Sequence, residues 1–145
     1  MLRTHLAMGV FIAALFWSSV SNRIIFLIVL LIATIIPDID NANSYISNKT
    51  RLGKIVAFFS KHRGAFHSIT FAILFSLIVA LFSTSIALPV FLGYAIHILA
   101  DSFTKEGVQA FWPFGVKSKG IIVTGSWTEY LIIGFFLLLT ALVIF

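Results

Sequence analysis

Five long apolar stretches, at 6–20, 24–36, 69–82, 86–100 and 127–145, divide a chain that has few charges to interrupt them. Charged residues make up 10% of the 145 positions, against about 25% in an ordinary soluble domain. One soluble core cannot absorb so many apolar runs, so the chain belongs with membrane proteins. Inside a bilayer a segment must satisfy its own backbone hydrogen bonds, which predicts helix for all five runs. Only 127–145 approaches the roughly 20 residues that span about 30 Å of hydrocarbon. The others must draw on their flanks, tilt or sit in a thinned bilayer. The expected fold is an all-α integral membrane protein with about five transmembrane or membrane-embedded helices and one short amphipathic helix, forming a single domain over 1–145.

The opening Met1-Leu2-Arg3 and the apolar run up to Val20 have the outline of a signal peptide, with Ser19-Val20-Ser21 as a small-residue cleavage site. We expect this segment to be retained and helical. Ser21-Asn22-Arg23 reads as a tight turn joining the first two helices into an antiparallel hairpin. Pro37 ends the second helix, because proline disfavours helical geometry in the residue before it. Residues 50–61 place Leu52, Ile55, Val56 and Phe59 on one face of a short amphipathic helix. Gly64 is expected to break the chain before the third long helix, and Ser68 to cap that helix. Ser83-Thr84-Ser85 is expected as a short turn. Residues 105–126 read as a longer loop with turn glycines at Gly107 and Gly115, part of it a strand near Ile121-Ile122-Val123.

With this topology the N-terminus, 37–63 and 105–126 share one side of the membrane. That side holds Arg3, Lys49, Arg51, Lys54, Lys61, Arg63, Lys105, Lys117 and Lys119, and the other holds Arg23 alone. Basic residues concentrate in cytoplasmic loops, so the rich side is expected to face the cytoplasm. This also accounts for the net charge of +5 without a nucleic-acid partner.

All four histidines and all five acids lie on or near the same side. His97 and Asp101 are spaced i, i+4 on one helical face, about 6 Å apart along the axis, with Tyr94 and Thr104 continuing the stripe. That spacing lets both residues bind one metal ion, or lets the carboxylate hold the imidazole. A hydrogen-bonded pair that joins helices is the bland alternative. Ionisable residues in membrane spans are nonetheless functional candidates by default. Asp38 and Asp40, in Pro37-Asp38-Ile39-Asp40, are ordinary turn residues in isolation. Beneath a span they become hard oxygen ligands, with Asp38 preferred in direct contact and Asp40 holding a second ion or orienting a histidine.

In His62-Arg63-Gly64-Ala65-Phe66-His67-Ser68 a continuous helix would separate the two histidines by about 140°. A break at Gly64 would let both approach one volume. Arg63 is either a bidentate clamp for an anionic oxygen or a positive-inside anchor. His5 by itself would pass for a solvated interfacial residue. Trp112-Pro113-Phe114 suits an interfacial anchor better than a substrate mouth. With no cysteine in the chain, a metal would rest on His and carboxylate ligands, which suits zinc, manganese, iron or magnesium.

These motifs in this order resemble the YdjM-like family of inner-membrane metal-dependent hydrolases. The resemblance is carried by Thr4-His5, Pro37-Asp38-Ile39-Asp40, His62-Arg63-Gly64 with His67-Ser68, Gly93-Tyr94 with His97, Asp101, Thr104 and Gly107, and Trp112-Pro113-Phe114. It leaves only the final helix unmarked. A more distant resemblance is to zinc-dependent phospholipase C and the single-strand nucleases of that fold, in which an early His, then Asp, His and a His-x-x-x-Asp helix hold two of three zinc ions. His5, Asp38, His67, His97 and Asp101 are similar to that ordered set. The further His…His-x-x-x-Glu group has no counterpart, since no histidine follows His97. A mono- or dinuclear centre is what the resemblance implies.

The expectation is a membrane-bound metal-dependent hydrolase, in a bacterial or archaeal inner membrane, with its site toward the cytoplasm. Its substrate would be a phosphoester such as a phospholipid head group, attacked by a metal-activated water. Zinc is the first choice of metal, as one or two ions, with manganese or iron as alternatives. His5, Asp38, Asp40, His67, His97 and Asp101 are the candidate ligands, and Arg63, Asp40 and His62 the candidate catalytic groups. Two other classes use the same residues. A metal or proton carrier should show mid-bilayer charges and repeated halves, and neither pattern is present. A non-catalytic membrane partner would enclose a structural metal with no open position. Oligomeric state leaves no mark on this sequence.

Overall fold

The computed structural model describes residues 1–40 and 63–145, and every regular element among them is a helix. Helix α1 spans Leu2–Leu15, α2 Arg23–Ile35, α3 Arg63–Phe66, α4 Ile69–Ala80, α5 Thr84–Ser102 and α6 Trp127–Ile144, and a 3-10 turn, Ile36–Asp40, follows α2. The five apolar runs thus coincide with α1, α2, α4, α5 and α6. The amphipathic helix expected at 50–61 lies outside the described residues.

Among the described residues two helices, α5 and α6, are long and apolar enough to cross a membrane, while α1 and α4 are apolar but shorter. The 19 residues of α5 reach about 28 Å, and the 14 of α1 only about 21 Å. Here the structure corrects the expectation that only the last run approaches a span. Ser83 is the N-cap residue of α5, and Thr84 and Ser85 form its first turn rather than a separate loop. Ser and Thr suit this position, where the leading N–H groups have no helical partner. The cap of α2 is more direct, with the Asn22 side-chain oxygen accepting from the Ile25 N–H at 3.2 Å.

A second correction concerns Gly64. It sits within the single turn of α3, and the chain breaks instead at His67 and Ser68. Ser68 is extended (φ −136°, ψ 150°), and its hydroxyl caps α4 by accepting from the Phe71 N–H at 3.1 Å. The same hydroxyl donates to the Ala65 carbonyl at 2.6 Å, so one side chain joins the end of α3 to the start of α4.

Helix α5 is the centre of the packing, with α2 on one side and α4 on another, while α1 lies against α2 and α6. Gly93 allows the α2–α5 approach, since a Cβ there would collide with the Leu30 carbonyl oxygen and come within 2.9 Å of the Ala33 Cβ. Small residues permit such backbone contact between membrane helices. Around it two apolar clusters form. Ala13, Phe26 and Leu30 join α1 to α2, and Ala72, Tyr94, Ile98 and Val108 join α4, α5 and the following loop.

The strand expected near Ile121-Ile122-Val123 does not form: the loop at 103–126 holds only two isolated bridges, Thr104 with Ile122 and Val108 with Ser118. Gly107 and Gly115 adopt φ of 65° and 86°, the left-handed conformations that suit glycine turns. The Ala110 carbonyl accepts from the Ile69 N–H at 2.8 Å, which ties the loop to the first residue of α4.

Candidate metal centre

The fold brings four chain segments to one point: the start of α1, the turn after α2, the junction before α4 and the last turns of α5. His5, Asp38, His67, His97 and Asp101 meet there. Among the described residues two sets of potential ligand atoms lie within 4.8 Å of one another, His5 with His97 and Asp101, and Asp38 with His67 and His97. His97 belongs to both. Of the other sequence-derived candidates, His62 and the side chains of Asp40 and Arg63 lie outside the described residues.

His97 is fully buried, and its orientation follows from the α2–α5 crossing. Gly93 meets Leu30, and one turn further along both helices His97 reaches Thr34. The His97 Nδ1 lies 2.8 Å from the Thr34 carbonyl oxygen. Pro37 has no N–H with which to serve the carbonyls one turn before it, so the Thr34 oxygen is well placed for a donor from another helix. A carbonyl can only accept, so Nδ1 carries a proton, and in the neutral ring Nε2 presents its lone pair.

That lone pair faces two carboxylates, at 3.3 Å from Asp101 Oδ2 and 3.8 Å from Asp38 Oδ1. It makes no properly directed hydrogen bond to either, although the atom is buried.

His5 repeats the arrangement. Its Nδ1 donates to the Met1 carbonyl at 2.9 Å, and its Nε2 lies 3.2 Å from Asp101 Oδ1. The His5 and His97 rings stack with centroids 4.3 Å apart and planes 11° from parallel. The His67 ring meets His97 edge-on at 5.5 Å. Asp101 therefore turns one oxygen to each of the stacked imidazoles.

The donor set fits a divalent cation. An acceptor nitrogen facing a carboxylate is repulsive unless a positive charge lies between them. Protons on both rings would supply that charge, but two unit charges about 4 Å apart repel by roughly 4 kcal/mol at an effective dielectric constant of 20. A divalent cation between ring nitrogen and carboxylate meets this need without placing two imidazoliums face to face. Zinc with arms of about 2.0–2.1 Å has tetrahedral edges of roughly 3.3 Å, close to the 3.2 and 3.3 Å separations from Asp101 to the two histidines. The His5 and His97 rings also each have the other nitrogen held by a carbonyl, the usual means of orienting a metal-binding histidine.

Several supporting groups were not among the sequence-derived candidates. The Thr34 and Met1 carbonyls are backbone atoms, to which residue type gives no clue. Tyr94, noted only as part of the His97 stripe, donates its hydroxyl to the Phe66 carbonyl and so secures the residue before His67. The Thr104 hydroxyl donates to the Asp101 carbonyl at 2.8 Å and accepts from the Gly107 N–H at 3.1 Å, closing the end of α5. Glu129, on α6, accepts from the Gly125 N–H and lies 3.3 Å from the Met1 nitrogen.

A helical membrane architecture with a buried His/Asp cluster defines the class of protein. Residues 1–145 match the YdjM inner membrane protein family over their whole length, and the chain belongs to that family. It is 34% identical over 91 residues to the inner membrane protein YdjM of Escherichia coli (strain K12), an alignment covering 57% of this chain and 46% of that protein. The YdjM protein of Shigella flexneri aligns with the same identity and coverage. The chain spans about half the length of these curated relatives. No solved structure matches it.

Proposed function

We propose that this inner-membrane protein is a multi-pass, metal-dependent phosphoester hydrolase whose site faces the cytoplasm. The observation that carries the proposal is the buried His97 Nε2, aimed at Asp101 and Asp38 with its other ring nitrogen fixed by Thr34. His97 has a single lone pair to give, so it serves one ion, together with Asp38, His67 and the Oδ2 of Asp101. His5 and the Oδ1 of Asp101 are then available to a second. Zinc suits this nitrogen and oxygen set, with manganese or iron as alternatives. A divalent cation, when bound, supplies Lewis acidity toward water and a phosphoryl oxygen.

The protein's own groups do the rest. The carbonyl-held imidazoles keep their lone pairs inward, and Asp38, about one-third exposed, is the member of the set most open to an entering substrate or water. Arg63 is assigned the anionic oxygen of the substrate and Asp40 and His62 the remaining proton and ligand positions, on the sequence pattern alone. Clustering at one end of the long helices favours a substrate at head-group depth, such as a phospholipid. The nine-to-one distribution of basic residues supports the cytoplasmic side.

Metal analysis of the purified protein, coupled to a panel of phosphate esters and phospholipids, tests the reading. Bound metal and phosphoesterase activity should both disappear in His97→Ala and Asp101→Ala. Unchanged metal content and hydrolysis in these variants would refute it. Metal-dependent flux in vesicles without hydrolysis would instead identify a carrier. Because the chain has no cysteine, single cysteines at Lys119 and Ser83 report orientation directly. The first should be labelled only from the cytoplasmic side and the second only from the opposite side.

A further inference from the structure

Glu129 is the single ionisable acid of α6, and only 9% of its surface is exposed. A carboxylate in the first turn of a helix is commonly a capping group, favoured by the helix dipole. Capping accounts for Oε1, which accepts from the Gly125 N–H at 2.7 Å. It does not account for Oε2, which turns inward to the Met1 nitrogen at 3.3 Å. The Met1 carbonyl in turn accepts from His5 Nδ1, as well as from the Thr4 N–H at 2.9 Å and the His5 N–H at 3.1 Å. His5 Nε2 completes the series at Asp101 Oδ1. A continuous line of polar contacts therefore runs from α6, through the first residue of α1, to the carboxylate at the end of α5.

We infer that Glu129 is a positioning residue for His5: by holding Met1 against α6 it fixes the carbonyl that keeps the His5 proton on Nδ1 and aims Nε2 at Asp101. The consequence for a bound metal rests on the proposed function, but the positioning itself does not, because it concerns the imidazole of the metal-free protein. Without Glu129, Met1 has no tie to α6 through this carboxylate. The His5 ring is then free to exchange tautomers and turn, while His97, held independently by Thr34, stays as it is.

The ¹⁵N signals of the histidine rings in the metal-free, full-length protein in lipid test this directly. In the wild type both His5 and His97 should show an Nδ1–H hydrogen-bonded to a carbonyl oxygen. In Glu129→Leu, and to a lesser degree in Glu129→Gln, His5 should lose the signature of this hydrogen-bonded Nδ1–H while His97 keeps its pattern as an internal control. His5 unchanged in both variants, or equal loss of order at His97 in both, overturns the inference. A second arm titrates Co²⁺ into wild type and Glu129→Leu, where affinity should fall about tenfold, the lower end of the effect of outer groups on metal sites. If the wild type takes up no Co²⁺, the metal reading fails while the ring signals still decide the role of Glu129.

Discussion

Helices α5 and α6 are nearly equal in length and both are apolar enough to cross a bilayer, yet they do different work. In α5, 44% of the apolar window is buried within the protein, against 11% in α6. Gly93 lets α5 press against α2, and its last turns carry two members of the polar cluster. Helix α6 contacts the bundle along a narrow strip that includes Phe11 against Phe136, and leaves Leu131, Leu138 and Leu142 exposed. Length and hydropathy alone would not separate them. What separates them is where small and ionisable residues interrupt the apolar pattern, because those positions mark protein contact rather than lipid contact.

Substitutions along the two helices sharpen this contrast. The largest effect is expected at His97. Replacing it with Ala removes the imidazole common to both His/Asp groups, and on the proposed function metal affinity measured by competition with a chelator should fall by more than ~100-fold, beyond the range for outer groups. Next comes Gly93→Val, which forces a side chain into the Leu30 carbonyl. Overpacking of this kind costs about 1–3 kcal/mol, to be read as a lowered midpoint in unfolding in detergent, with metal content reduced alongside. Tyr94→Phe keeps the ring and loses the hydrogen bond to Phe66, a change of about 1 kcal/mol. If its unfolding midpoint equals that of the wild type, Tyr94 does not secure the segment before His67. Smallest is Leu142→Ala on the outer face of α6, which should stay within about 0.5 kcal/mol. A larger loss there would mean that this face is covered by protein rather than lipid.

The apolar runs were legible as helices because each needs its own backbone bonds satisfied, and the structure begins and ends them within a few residues of the sequence boundaries. The i, i+4 spacing of His97 and Asp101 was equally legible, since a helix fixes their shared face. Less was legible wherever the deciding partner is a backbone atom. No residue type announces that the Thr34 carbonyl will receive His97, or that the Met1 carbonyl will receive His5. His5 in isolation pointed to a solvated interfacial residue, and only the stacking on His97 shows that it is buried. Gly64 was an attractive break because glycine tolerates many conformations. Ser68 instead supplies the break, since its hydroxyl satisfies both the end of one helix and the start of the next. Glu129 stood in the one long helix that no motif marked, and its inward turn depends on Met1, which sequence spacing does not connect to it.

The stacked rings of His5 and His97 also have a consequence for biogenesis. The His5–Asp101 contact joins residues 96 positions apart, and closing so long a loop comes late in assembly. During synthesis and insertion, His5 emerges long before α5 exists, and its ring has no carboxylate partner until the helices around α5 have docked. On the proposed function, filling of the centre is therefore a molecular timestamp. A nascent chain arrested before α5 has left the ribosome would not yet hold the ion, whereas one released after docking would, and pulse-labelled chains sorted by metal content would separate half-built from finished protein.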